Sequence, residues 1–124
     1  MPTDLVIDPL VDEAYQATLR VLMGAGFEPA MDRFALRLRE AQQQLAMDLD
    51  RPERLKLVHN LAGTGGMLGF SELSRCAALL QQCLLAGGSD EAGDYRRLLQ
   101  ALERTLARLD GEKAAGRPQP SSSS

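Results

Sequence analysis

Apolar residues recur at alternating spacings of four and three from Phe27 onward: Phe27, Met31, Phe34, Leu38, Ala41 and Leu45. That period sets them on one stripe of an α-helix and rules out a half-buried strand, whose side chains alternate every two residues. Helical spacing returns in Leu73, Cys76, Ala77, Leu80 and Leu84, and again in Tyr95, Leu98, Leu99, Leu102, Leu106 and Leu109. A helix with such a stripe must bury it against other helices, so several of them in one chain predict a bundle. Composition agrees. Aromatics make up 4% of the chain and Trp is absent, so Leu, Ala and Met must fill the interior. A length of 124 residues suits one domain with a real core.

Helix-breaking and capping residues divide this pattern into five helices. The first is expected from Asp8-Pro9, an N-cap followed by Pro at the first helical position. It carries Leu10, Val11, Ala14, Thr18, Val21 and Leu22 and stops near Gly24 and Gly26. The second starts near Pro29 and ends before Arg51-Pro52. Asp50 and Glu53 are placed to cap the third, which runs through Leu57, Val58 and Leu61. "GFSEL" makes a break, with Ser71 as the N-cap of the fourth helix, which ends at Gly87-Gly88. Ser89 or Asp90 caps the fifth, and Gly111 terminates it. "EKAAGRPQPSSSS" has no apolar face and reads as disordered.

The expected fold is therefore all-α: an antiparallel up-down-up-down four-helix bundle over residues 27–110. An extra N-terminal capping helix within 1–26 lies across one end, and a tail follows over 111–124. The stripes can bury one another within a single chain, which predicts a monomer.

Several functions are excluded at this stage. A formal charge of −3 provides no general electrostatic footprint for nucleic acid. No apolar run approaches the roughly 18 residues that span a membrane. "MPTDLVIDPL" lacks the basic and long apolar parts of a signal peptide, so a cytoplasmic location is expected. Cys76 and Cys83 form no CxxC pair and fit a reducing compartment as buried thiols. With one His and two Cys on one helix, a structural zinc site is not expected, and no cofactor is implied for this chain.

The stretch that invites chemistry is "KLVHNLAGTGGMLGF", Lys56 to Phe70. His59 is the only histidine, and Gly63, Gly65, Gly66 and Gly69 follow it. At about 100° per residue, Leu57, Leu61, Thr64 and Leu68 lie roughly opposite His59, with Val58 and Gly65 on the flank of that stripe. His59 therefore faces away from the core, on a face shared with Leu55, Lys56, Ala62, Gly63 and Gly66. If the helix continues through Gly63, Gly65 and Gly66, they cost roughly 3 kcal/mol in propensity. Something close-fitting should offset that: a neighbouring helix at Gly65, a partner molecule at Gly63 and Gly66. A phosphate-binding loop does not fit. GxxxxGK[ST] has no match, Leu68 occupies the last glycine position of GxGxxG, and the βαβ setting is missing.

"HNLAGTGGMLGF", His59 to Phe70, resembles the signature of histidine-containing phosphotransfer (HPt) domains, approximately H-x-[LI]-[KA]-G-x-[SAG]-x-x-[LFV]-G-[FAL]. His59, Leu61, Gly63, Gly65, Leu68, Gly69 and Phe70 fit it, and the order and length of the helices extend the resemblance from about Phe27 to Leu109. The resemblance implies that His59 is the phosphoacceptor, exchanging a phosphoryl group with the Asp of a response-regulator receiver domain. It implies a carrier between a hybrid sensor histidine kinase and a response regulator, not an enzyme with its own nucleotide site. Mg²⁺ belongs to the partner receiver. Lys56, Leu55, Ala62, Gly63, Gly66 and Met67 are the expected receiver docking face.

One residue departs from the pattern. Many members have Lys three residues after the histidine, where this chain has Ala62. Ala occurs there in a subset of the family. Lys56, one turn before His59 and about 60° around the helix, is placed to supply the charge, or is a plain solvated Lys. The chemistry suits the residue type: a neutral imidazole is a nucleophile near pH 7. Phosphoryl transfer needs alignment and electrostatic stabilisation more than covalent help. The alternative reading is a helical adaptor that binds a receiver or kinase without being phosphorylated; a helical bundle with an unrelated binding role is a third.

Overall fold

A computed structural model describes residues 10–87 and 90–116, which form five α-helices and no strand. α1 spans Glu13–Met23 and passes through a 3₁₀ turn, Gly24–Gly26, into α2, Phe27–Leu45. α3 spans Arg51–Met67, α4 Ser71–Ala86 and α5 Glu91–Gly116. The caps expected at Asp8-Pro9 and at Ser89, and residues 117–124 of the expected tail, lie outside the described residues.

Three boundaries differ from expectation. The N-cap of α1 is Asp12, whose carboxylate accepts the Tyr15 N–H at 3.1 Å. Leu10 and Val11 thus precede the helix and are buried. Starting there, the helix turns Gln16 inward with Leu19 and Met23 half-buried, and leaves Ala14, Thr18, Val21 and Leu22 exposed. Phe70, not Ser71, stands at the N-cap of α4. Its ring is fully buried and its N–H donates to the Gly65 carbonyl at 2.8 Å, so Ser71 is drawn into the first turn. α5 passes Gly111 and continues through Gly116. One exposed Gly costs about 1 kcal/mol against Ala, and side-chain ties bridge it. Arg108 pairs with Glu112 at 3.1 Å, and Lys113 with Asp32 of α2 at 3.5 Å.

α3 packs on α4, α4 on α5, and α5 on α2. Leu38, Leu73, Leu80, Leu98 and Leu102 are fully buried between them, each contributing ~1.5–3 kcal/mol of hydrophobic stabilisation. The seam between α2 and α3 is looser. It leaves a groove of about 140 Å³ bordered by Phe34, Ala41, Leu57, Leu61 and Thr64.

The α3–α4 turn is held from outside by the start of α1. The Asp12 N–H donates to the Gly69 carbonyl at 2.8 Å, the Tyr15 hydroxyl to the Met67 carbonyl at 2.8 Å, and the Gln16 amide to the Leu68 carbonyl at 2.9 Å. The Met67 and Leu68 carbonyls are among those that a helix end otherwise leaves without partners. Gly69 makes the contact feasible. Its φ is +87°, and an added Cβ would stand 2.8 Å from Gln16 Cγ and 3.1 Å from Tyr15 Cδ2. Gly69→Ala is therefore expected to lose ~1–2 kcal/mol from the backbone conformation alone, with a further loss as α1 is pushed off. An unchanged denaturation midpoint would contradict this account of the turn.

Candidate functional site

α3 runs unbroken through the glycine-rich segment. Its start is fixed by Asp50, whose carboxylate accepts the Glu53 N–H at 2.9 Å, with Pro52 in the first turn. Two of its glycines, Gly65 and Gly66, lie where α4 approaches closely. Gly65 is buried, and a Cβ there would lie 3.5 Å from both Leu73 Cδ2 and the Ser74 nitrogen. The Ser74 hydroxyl donates to the Ala62 carbonyl at 2.7 Å, tying the two helices at the same level.

His59 is exposed on the outer side of α3, but it leans toward α4. Its Nδ1 lies 3.1 Å from Nε2 of Gln81, in a side-chain hydrogen bond across the helix pair. The buried residues of α3 are Val58, Leu61 and Gly65, whereas Leu57, Thr64 and Leu68 are only half-buried. The buried stripe is thus rotated toward Val58 and Gly65 relative to the expected one. The tight α4 contact and the loose α2 seam account for the rotation.

The residues expected to share the histidine's face fall into two groups. Lys56, Gly63 and Met67 are exposed on the outer side, and the space a Cβ would occupy at Gly63 is open. Met67 is 70% exposed. Leu55 and Ala62 are half-buried and pack against the core cluster. Gly66 is exposed, yet a Cβ there would meet the Ser74 hydroxyl at 3.2 Å. Its small size therefore accommodates Ser74 of α4 as well as leaving an exposed surface beside His59.

Sequence reasoning did not single out Gln81. Its only signal is a polar residue breaking the apolar run Ala77, Ala78, Leu79 and Leu80, and its partner emerges only once α4 is laid against α3. The cysteines are remote from this chemistry. Burial, reinforced by the negative charge of Glu72, pushes the Cys76 thiol up, so it stays a neutral core thiol. A separate cleft of about 420 Å³ is lined from α1, α2 and α5. Four of its charges pair across it, Arg39 with Asp110 at 2.7 Å and Lys113 with Asp32 at 3.5 Å. Among the described residues, no group of three or more His, Cys, Asp or Glu is disposed to hold a metal ion.

His59 is exposed on its helix, beside a glycine with open space in front of it, so its ring is accessible from outside. The family model for the Hpt domain matches residues 31–112. The chain belongs to the Hpt domain family. The curated proteins and the solved structures compared with it gave no match. The matched span takes in α3 and α4 entire and most of α2 and α5, while α1 precedes it. Hpt domains serve histidine phosphotransfer in two-component signalling, as phosphocarriers that meet receiver domains and kinases. In this Hpt domain no described helix is long and apolar enough to cross a membrane.

Proposed function

We propose that this Hpt domain is a phosphocarrier in a multistep phosphorelay, and that His59 is its phosphoacceptor. It stands between a hybrid sensor kinase and a response regulator and exchanges the phosphoryl group with the Asp of receiver domains. The observation that carries the reading is the placement of His59: exposed, bonded at Nδ1 to Gln81, and bordered by the open surface at Gly63. The pairing of His59 with Gln81 and of Gly66 with Ser74 supports an antiparallel arrangement of α3 and α4. The hydrogen bonds from Asp12, Tyr15 and Gln16 support α1 as the cap of that end. We read the domain as a cytoplasmic monomer.

With Nδ1 engaged by Gln81, Nε2 is the nitrogen offered to a partner. Attack through Nε2 requires its lone pair, hence the tautomer with the proton on Nδ1. In that tautomer Nδ1–H donates, and the Gln81 carboxamide turns its oxygen to accept. The N–P bond forms at Nε2 as the P–O bond of the receiver's aspartyl phosphate breaks, and the Asp leaves as a carboxylate. Return transfer reverses both steps. The receiver brings Mg²⁺ to neutralise phosphoryl charge. This chain holds the imidazole on a rigid helix, which lowers the cost of alignment, and Lys56 adds a positive charge on the same exposed side.

The test uses a panel of receivers encoded in the same genome, each phosphorylated with acetyl phosphate. An acid-labile, alkali-stable phosphoryl group should appear on this chain. Binding of a receiver with no such label would replace the carrier with the non-phosphorylated adaptor, the reading that Ala62 favours.

Gly63 tests the docking face. Gly63→Leu is expected to slow transfer from the receiver, because the side chain projects into the space the receiver's acidic pocket must enter. Stability should hold, or rise by up to about 1 kcal/mol from better helix propensity. Transfer rates and chemical denaturation of the same variant decide it. Transfer at the wild-type rate would place the receiver elsewhere.

A further inference from the structure

We infer that Lys56 binds the phosphoryl group itself: its ammonium meets the group carried on His59 Nε2 and offsets part of its negative charge. The inference rests on the phosphocarrier reading and assigns Lys56 a contact that receiver docking alone does not require. The direction of the imidazole decides which side matters. Its Nδ1 is turned toward α4, 3.1 Å from Nε2 of Gln81. The Cδ2–Nε2 edge lies on the opposite side of the ring, so a phosphoryl group on Nε2 stands away from α4. At about 100° per residue, Lys56 lies about 60° around the helix from His59, on the side of Gly63. Ala62 and Gly66 lie on the other side, where both meet Ser74 of α4. Lys56 is therefore on the side that Nε2 faces.

Charge then singles it out. The helix neighbours of His59 one turn away on α3 are Leu55, Lys56, Ala62 and Gly63, and of these only Lys56 is charged. On α4, the stripe through Ser74 and Gln81 adds Ala78 and Leu85 at helical spacing, none of them charged. The carboxylate of α3, Glu53, is six residues before His59, about 9 Å along the axis. Lys56 is exposed and takes part in none of the ion pairs formed among the described residues. It has no ionic partner there to give up when a phosphoryl group arrives. The two side chains start about 4.5 Å apart along the axis, a span that the flexible four-carbon stem of lysine covers. An ammonium against phosphoryl oxygens makes charge-assisted hydrogen bonds, about twice as strong as neutral ones.

The experiment phosphorylates the full chain with potassium phosphoramidate, whose P–N bond breaks as one forms at His59 Nε2 and ammonia leaves. The phosphoryl resonance is then titrated by ³¹P NMR with no receiver present. Lys56→Gln is expected to raise the second pKa of the phosphoryl group by about 0.3, the scale of one exposed ion pair. Lys56→Arg should restore the wild-type value. Arg96→Gln, which removes an exposed charge from α5, should leave it unchanged. Transfer from the receiver that labels the chain fastest should slow about twofold in Lys56→Gln, by the same scale. A titration unmoved by Lys56→Gln, or moved as far by Arg96→Gln, would overturn the inference. Slower transfer with an unmoved titration would make Lys56 a receiver contact only. A wild-type chain that takes no label from phosphoramidate would overturn it as well. A chain labelled by phosphoramidate, with the titration moved by Lys56→Gln, but labelled by no receiver, would bring down the phosphocarrier reading and leave the contact standing.

Discussion

Replacing His59 with Gln is expected to abolish phosphoryl acceptance from a phosphorylated receiver while leaving the helical circular dichroism unchanged. The two halves rest on different observations. Acceptance should vanish because the chain holds no second histidine to take over, and a carboxamide is not a nucleophile toward an acyl phosphate. The fold should persist because His59 is exposed and its hydrogen bond runs to another surface side chain, Gln81, across 3.1 Å. Substitutions of that kind usually change stability by no more than about 0.5 kcal/mol. Gln at position 59 retains a donor and an acceptor for Gln81. Label retained by His59→Gln would remove His59 from its role. Collapse of the fold would show that the imidazole is structural and that the glycine-rich face has another purpose.

The parts of the fold legible in the sequence are those where burial has one direction. On α2, Phe27, Met31, Phe34, Leu38 and Ala41 are all buried, as their spacing predicts. On α4 the same holds for Leu73, Cys76, Ala77, Leu80 and Leu84. α5 follows with Leu98, Leu102, Leu106 and Leu109, while Leu99 sits at the edge of its stripe and remains 40% exposed. α3 was less legible for a physical reason: Leu55, Leu57, Leu61, Ala62 and Leu68 surround it and do not line one face. Which of them are buried depends on how closely each neighbour approaches, and that is a tertiary fact.

The site divides in the same way. An exposed His59 next to a bare Gly63 follows from helix angles alone. The roles of Gly66 and Gln81 do not, because both depend on the register of α4 against α3. Tyr15 was hidden further still. The expected start at Asp8-Pro9 lies outside the described residues, and with Asp12 as the N-cap the helix presents a different side to the bundle. Nothing local signals that a tyrosine near residue 15 will cap a carbonyl at residue 67.

The largest loss of stability is expected from Phe70→Ala, about 3–5 kcal/mol. Phe70 matches the last position of the phosphotransfer signature, yet its role here is packing. The ring is fully buried and stacks on Phe34 of α2, with centroids 5.2 Å apart and planes 22° from parallel. It is the side chain that joins the α3–α4 turn to α2, across the side of the bundle where α2 and α3 make few contacts with each other. Removing it leaves a cavity that the turn cannot readily close. Its backbone is held by the 2.8 Å bond to Gly65, and the turn itself by α1. Stabilities of small domains are typically about 5–15 kcal/mol, so a loss of this size consumes a large fraction of the total. The stacked ring pair adds ~0.5–1.5 kcal/mol beyond area burial, so Phe70→Leu should recover most but not all of the loss. Chemical denaturation of the two variants settles the matter. If Phe70→Ala costs under about 1 kcal/mol, the ring is not the tie between the turn and α2, and the end of the histidine helix must be held by α1 alone.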